Sequence, residues 1–123
     1  NEYLRDNRRV VIGLVETLVE QVVEKFTDKP RNIMDARRKI NDVLPQITDA
    51  DDIRVLSSLK LMLQNSEALN INSYINAVPK LERFIDLYFS DFCISLVSSR
   101  RHLSMVNSST VKSVLEFYYA SKR

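Results

Sequence analysis

The sequence predicts an all-α, single-domain protein: an array or bundle of five to six helices, short and α-solenoid-like, with a kink or restart near Pro79. Three observations carry that prediction. Apolar residues recur at the three-then-four step of a helix in nearly every long segment. Gly13 is the only glycine and there are three prolines in 123 residues, so the tight turns that join strands are scarce. Residues 70–97, NINSYINAVPKLERFIDLYFSDFCISLV, hold five of the ten aromatic residues, Tyr74, Phe84, Tyr88, Phe89 and Phe92, interleaved with Ile, Leu and Val. Such side chains contribute most per residue on leaving water, roughly 25 cal/mol per Å², so the core is expected to centre there.

The first helix is expected from about Tyr3 to Phe26, ended by the TDKP breaker. At 100° per residue its apolar side chains fan over about 220°, far more than one neighbour covers. Either this helix is central to the bundle, or one side is left for another protein, with Val11, Leu14, Leu18 and Val22 as the partner surface. The second helix reads IMDARRKINDVL, capped by Asn32 and stopped before Pro45; Ile33, Ala36, Ile40 and Val43/Leu44 form its stripe, with Arg37, Arg38 and Lys39 outside. The third runs from a cap at Asp52 to about Asn65, with Ile53, Leu56, Leu59 and Leu63 inward and its acids complementing the helix dipole. Asn70 or Asn72 caps a fourth helix, interrupted at Pro79. A fifth is expected to open at Ser90 and run to about Leu103, and a last one, TVKSVLEFYYASK, follows the linker LSMVNSS with Ser108 or Ser109 as cap.

Composition excludes several functions. One glycine, inside a helical pattern, leaves no Gly-rich phosphate loop. Cys93 lies among Phe92, Ile94 and Leu96 and reads as core; with one Cys and one His there is no metal set, and the pair is poorly spaced for nucleophilic chemistry. The reading is therefore of a protein that is not an enzyme and carries no cofactor. A single Cys fits a reducing compartment, and no apolar run is long enough to span a bilayer, so no membrane partner is expected. The N-terminal stretch does not have a signal-peptide pattern, and its start at Asn1 is taken to mean a piece of a longer protein. Net charge is +2, but residues 100–123 carry Arg100, Arg101, Lys112, Lys122 and Arg123 against Glu116 alone. A basic end on a near-neutral body suits an acidic polymer, and equally a solvated tail.

Three stretches also resemble a known family. Leu69-x-Ile71 followed by Val78-Pro79-Lys80-Leu81-Glu82 and Phe84-Ile85 is similar to the L-x-L…V-L-P-x-I-E-x-L-L stretch in the C-terminal domain of the katanin regulatory subunit. Arg31-Asn32-Ile33 with Asp35 and Arg37 resembles its R-N-L-D-x-V-R segment. Ile47-Thr48-Asp49 to Val55-Leu56 resembles its I-N-D-x-x-V-V segment. Order and spacing agree over about sixty residues, half the chain. The sequence departs from the pattern in being shorter between Ile40 and Asp49, in its first and last helices, and in lacking the propeller repeats of the long form.

The resemblance implies a helical array that binds the N-terminal helical domain of the catalytic AAA ATPase subunit as a hetero-oligomer. Together the two would engage microtubules and support their severing in the cytoplasm, at the cytoskeleton or spindle, while ATP hydrolysis stays on the partner. Arg37, Arg38, Arg100 and Arg101 are the expected contacts to acidic tubulin. Two other readings compete: a helical nucleic-acid-binding domain, against which acids nearly balance bases over residues 1–99, and a self-associating structural domain using the open side of helix one.

Overall fold

The computed structural model describes residues 2–69 and 77–121, and every regular element among them is helical. α1 spans Glu2–Glu24 and is bent at Asn7, where φ is −116° and ψ 18°. α2 covers Ile33–Val43 and runs into a single 3-10 turn at Leu44–Gln46, as expected from Pro45. α3 is Ala50–Gln64, α4 Ala77–Phe84, α5 Ser90–Val97, α6 Arg100–Leu103 and α7 Ser108–Ser121.

Local chemistry accounts for most of the boundaries. Asn32 caps α2 as the sequence predicts: its side-chain oxygen accepts from the Asp35 N–H at 2.8 Å, while the Asp35 carboxylate accepts from the Arg31 N–H at 2.9 Å. The two bonds close a reciprocal box that satisfies donors on both sides of the helix start. The cap of α3 is Asp49, not Asp52; Asp49 accepts from the Asp52 N–H at 2.9 Å and the helix begins two residues earlier than expected. Either aspartate could cap by sequence, and the extended backbone at Asp49 decides between them. Pro79 lies in the first turn of α4, where its missing N–H costs nothing, so a helix starts around it. The caps expected at Asn70 or Asn72 lie outside the described residues.

α5 begins at Ser90 as expected, but it continues from the preceding helix without a break and Ser90 is not its cap. Between α4 and α5 the chain stays helical through a π-helical segment, Ile85–Phe89, and Ser90 closes it by donating both its N–H and its hydroxyl (2.7 Å) to the Ile85 carbonyl. The expected run to Leu103 is instead broken at Ser99, whose extended backbone (φ −140°, ψ 133°) turns the chain into the four-residue α6.

α1 is the centre of the bundle. It packs against α2, α4 and α7, while α3 packs against α2 and α5. Val11, Ile12, Val15, Leu18, Val19, Val22 and Val23 are all buried, and Phe84, Phe89 and Phe92 meet them from the aromatic stretch in one continuous core. The start of α7 is held beside the end of α1: the Asn107 N–H donates to Gln21 Oε1 at 3.1 Å, and Gln21 Nε2 to Thr110 at 3.4 Å. Further along, the Tyr118 ring meets Phe89 edge-on at 6.5 Å, tying α7 to the π segment.

The face of α1 offered above as a partner surface is thus covered by the chain itself. Val11, Leu18 and Val22 are sealed in the core and Leu14 is half-buried against it, because α7 returns along α1 and α2 and α4 close the remaining arc. On α3, Val55 points inward where Ile53 was expected, and Ile53 is exposed.

Two substitutions on α1 separate these faces. Leu18→Ala, at a side chain 1% exposed, should destabilise the isolated chain by about 2–5 kcal/mol in urea denaturation; a change under about 0.5 kcal/mol, as for an exposed leucine, would place that face outside. Gly13 is a helical, exposed glycine at which an added Cβ meets nothing within 4 Å. Gly13→Ala should therefore raise stability by about 0.5–1 kcal/mol in the same measurement.

Candidate functional site

Adjacent residues on a helix point 100° apart, and α6 uses this to send three neighbours to three destinations. His102 turns fully inside, 0% exposed, and its Nε2 meets Asp52 Oδ1 at 2.6 Å. Arg101 lies across the mouth of the same pair, with its guanidinium 3.0 Å from Asp52 and 2.8 Å from Asp49. Arg100 points outward and makes no salt bridge among the described residues. The result is a clasp fastening α6 onto the N-terminus of α3, in which Asp49 serves as helix cap and ion-pair partner together.

Donor atoms of Asp49, Asp52 and His102 lie within 4.8 Å of one another, close enough to hold a cation. Both carboxylates, however, already meet the Arg101 guanidinium, so the positive charge a metal would supply is in place. His102 Nδ1 is buried and has no hydrogen-bond partner among the described residues, while Nε2 meets Asp52. The cluster is an ion-pair network with a structural role.

α6 and α7 together form a second feature, an open groove of about 550 Å³. Leu103 and Val106 contribute one side and Val111 and Leu115 the other, with Arg100, Ser104, Ser108 and Lys112 along the edges. On α7, residues 108, 111, 112 and 115 share one face by their spacing, and Tyr119, 63% exposed, continues it one turn further. Val114, buried in the core, adjoins this face, and Val111 and Leu115 also reach the inner cavity that Val114 lines with Leu18 and Leu96.

A third set of apolar side chains remains outside on α3 and α5. Ser58 and Ser95 join these helices through a 3.1 Å hydrogen bond, and Arg54 donates to Ser98. Ile53 and Leu61 on α3, Leu87 in the π segment, and Ile94 (63% exposed) and Val97 on α5 are left in solvent.

The four arginines read from the sequence as one set divide into two. Arg38 donates to the buried Asp35 at 2.6 Å, and Arg101 is held by Asp49 and Asp52. Arg37 and Arg100 are exposed and without a salt bridge among the described residues. Lys39, expected outside, folds back to within 3.8 Å of Asp35. The Asp35 carboxyl is held below the ordinary carboxylate range, first by the Arg31 backbone N–H and then by Arg38. Cys93 is buried as expected, and burial pushes its thiol up to about 12.

The sequence reading missed the clasp and the groove. His102 lies fifty residues from Asp52, and no local pattern joins it to the aspartates. A signal for the groove was available in the breadth of the α7 stripe, Val111, Val114, Leu115 and Tyr118, which Phe117 and Tyr119 widen. Comparison with known proteins adds nothing to these assignments: no family model, curated protein or solved structure matches the chain.

The clasp has a pH signature. The Asp52 backbone N–H, and after it Arg101, hold the Asp49 carboxyl below its usual range. A carboxyl lowered in this way stabilises the fold above its unfolded pKa of about 3.9, and that contribution is lost as pH falls through the folded value. Asp49→Asn keeps a cap acceptor and removes the charge. It should melt below the wild type at neutral pH, and the gap should close by about pH 2 in thermal melts followed by circular dichroism; a gap that persists undiminished in acid would show that the charge is not what Asp49 contributes.

Proposed function

We propose that this chain is a non-catalytic helical subunit that binds a partner protein, and that the partner is the N-terminal helical domain of a microtubule-severing AAA ATPase, as the katanin-like stretches imply. The observation that carries the partner-binding part is the amount of large apolar side chain left outside a complete core. Ile53, Leu61, Leu87, Ile94, Val97 and Tyr119 stay exposed although the buried set already runs through α1, α3, α5 and α7. Exposed apolar side chains of this size are the material from which an interface is built.

The chemistry of the remaining groups supports a non-catalytic reading. A thiol pushed up to about 12 is a poor nucleophile at neutral pH, and a histidine 0% exposed cannot reach a substrate. No described helix is long and apolar enough to cross a membrane. The stretches that resemble the katanin regulatory subunit occupy structurally meaningful places: Arg31, Asn32 and Asp35 build the box that starts α2, Asp49 caps α3, and Pro79 lies in the first turn of α4. In this reading the contacts to acidic tubulin fall to Arg37 and Arg100, the two arginines of the original four without an ion-pair partner.

Co-expression with the N-terminal domain of a katanin catalytic subunit should give a co-purifying complex of defined stoichiometry, and that complex should co-sediment with microtubules. Arg37→Glu with Arg100→Glu should reduce co-sedimentation several-fold, more at low salt than at high salt. The paired Arg38 and Arg101 should alter stability before they alter binding. Failure of the two proteins to associate at micromolar concentration would remove the katanin-like assignment and leave the helical fold standing.

A further inference from the structure

We propose that the groove between α6 and α7 receives the apolar edge of an acidic amphipathic helix from a partner protein. The proposal rests on the reading that this chain binds a protein partner, and not on which protein that is.

The groove has an apolar floor, Leu103, Val106, Val111 and Leu115, and one basic side chain on each wall, Arg100 from α6 and Lys112 from α7. Its volume, about 550 Å³, is in the range that holds a few large side chains rather than a whole domain. Val111 and Leu115 of the floor are four residues apart, and the exposed Tyr119 follows four further on, beyond the groove lining, extending the line to roughly 12 Å along α7. Side chains at i, i+3/i+4 and i+7 of an incoming helix have the spacing to lie along such a strip, the helix-in-groove mode of peptide recognition.

Charge selects among the possible occupants. Lys112 and Arg100 form no salt bridge among the described residues, whereas Arg101, next in sequence to Arg100, is bound to two carboxylates. No acidic residue lines the groove. Two unneutralised cations, one from each helix of an apolar groove, favour a ligand that combines apolar residues with flanking carboxylates. A second copy of this chain meeting groove to groove would set Arg100 and Lys112 against their own equivalents, which disfavours a symmetric pair. A nucleic acid would satisfy the cations but leave the floor uncovered.

The test uses two model peptides of about 14 residues, roughly 21 Å as helices, with leucines at i, i+3, i+4 and i+7 and either glutamate or lysine flanking them. Fluorescence anisotropy with the intact chain should show the glutamate peptide binding about tenfold or more tightly than the lysine peptide, with the advantage shrinking as salt rises. Arg100→Glu with Lys112→Glu should reverse the order, Arg100→Gln with Lys112→Gln should level it, and Tyr119→Ala should weaken the glutamate peptide several-fold. Both cations are exposed, so circular dichroism of these variants should match the wild type.

No binding of the glutamate peptide, equal binding of both peptides, or indifference to the charge-reversed variant would overturn the assignment. So would a self-association, seen in sedimentation, that Lys112→Glu abolishes, since the groove would then belong to a second copy. If the glutamate peptide binds but the AAA domain does not, the groove stands and the partner's identity falls; the converse result removes the groove and leaves the functional proposal intact.

Discussion

One constraint organises this molecule: α1 carries an apolar arc too wide for a single neighbour, and the chain must cover it. Seven of its residues, from Val11 to Val23, are buried, and three other helices are needed to bury them. α2 follows directly and α4 comes from the middle of the chain, but the remaining arc is closed only when α7 returns. The contact between Gln21 and Thr110 spans 89 residues. Closing a loop of that length costs more chain entropy than a local contact, though the cost grows only logarithmically with length. The area α7 and α1 hide from each other offsets it.

The electrostatic clasp follows from the same need. A helix of four residues has almost no stability of its own, because it fixes its backbone for one or two hydrogen bonds. α6 persists because His102 is inside, Arg101 is anchored to Asp49 and Asp52, and Leu103 leans on the groove floor. The clasp also sets where α7 can begin, since few residues separate Leu103 from Ser108. Fastening α6 to the start of α3 thereby positions the wall from which Arg100 projects.

Periodicity and cap chemistry made much of this visible in advance. The helices, the cap at Asn32, the start at Pro79 and the burial of Cys93 all depend on residues within one or two turns of each other. The misassignments share a different character. A wide stripe on α1 shows that something covers it without showing what, so Val11, Leu18 and Val22 looked available until α7 was in place. Asp49 and Asp52 are equivalent candidates for one cap by sequence. Ser90 marks the start of α5 as read, but as the end of a π segment and not as a cap, because its hydroxyl bonds five residues back to Ile85. Four arginines read as one basic set because only folding brings Asp35 to Arg38 and Asp49 to Arg101.

The apolar excess that seemed to belong to α1 therefore did not vanish; it was transferred. Covering α1 required a last helix with one apolar face, yet the apolar arc of α7 is wider than that: Val114 is inside, Val111 and Leu115 flank it and reach the same inner cavity, and Tyr119, five residues on, is exposed. A helix that served only as a lid would gain from polar residues there, because exposed aliphatic and aromatic side chains give up favourable burial and invite aggregation. Placing the outer edge of that arc beside α6 shelters part of it in a groove whose lining includes Arg100 and Lys112. The face that the sequence hinted at on the first helix thus reappears on the last, and its chemistry is set by the charges around it rather than by its apolar residues alone.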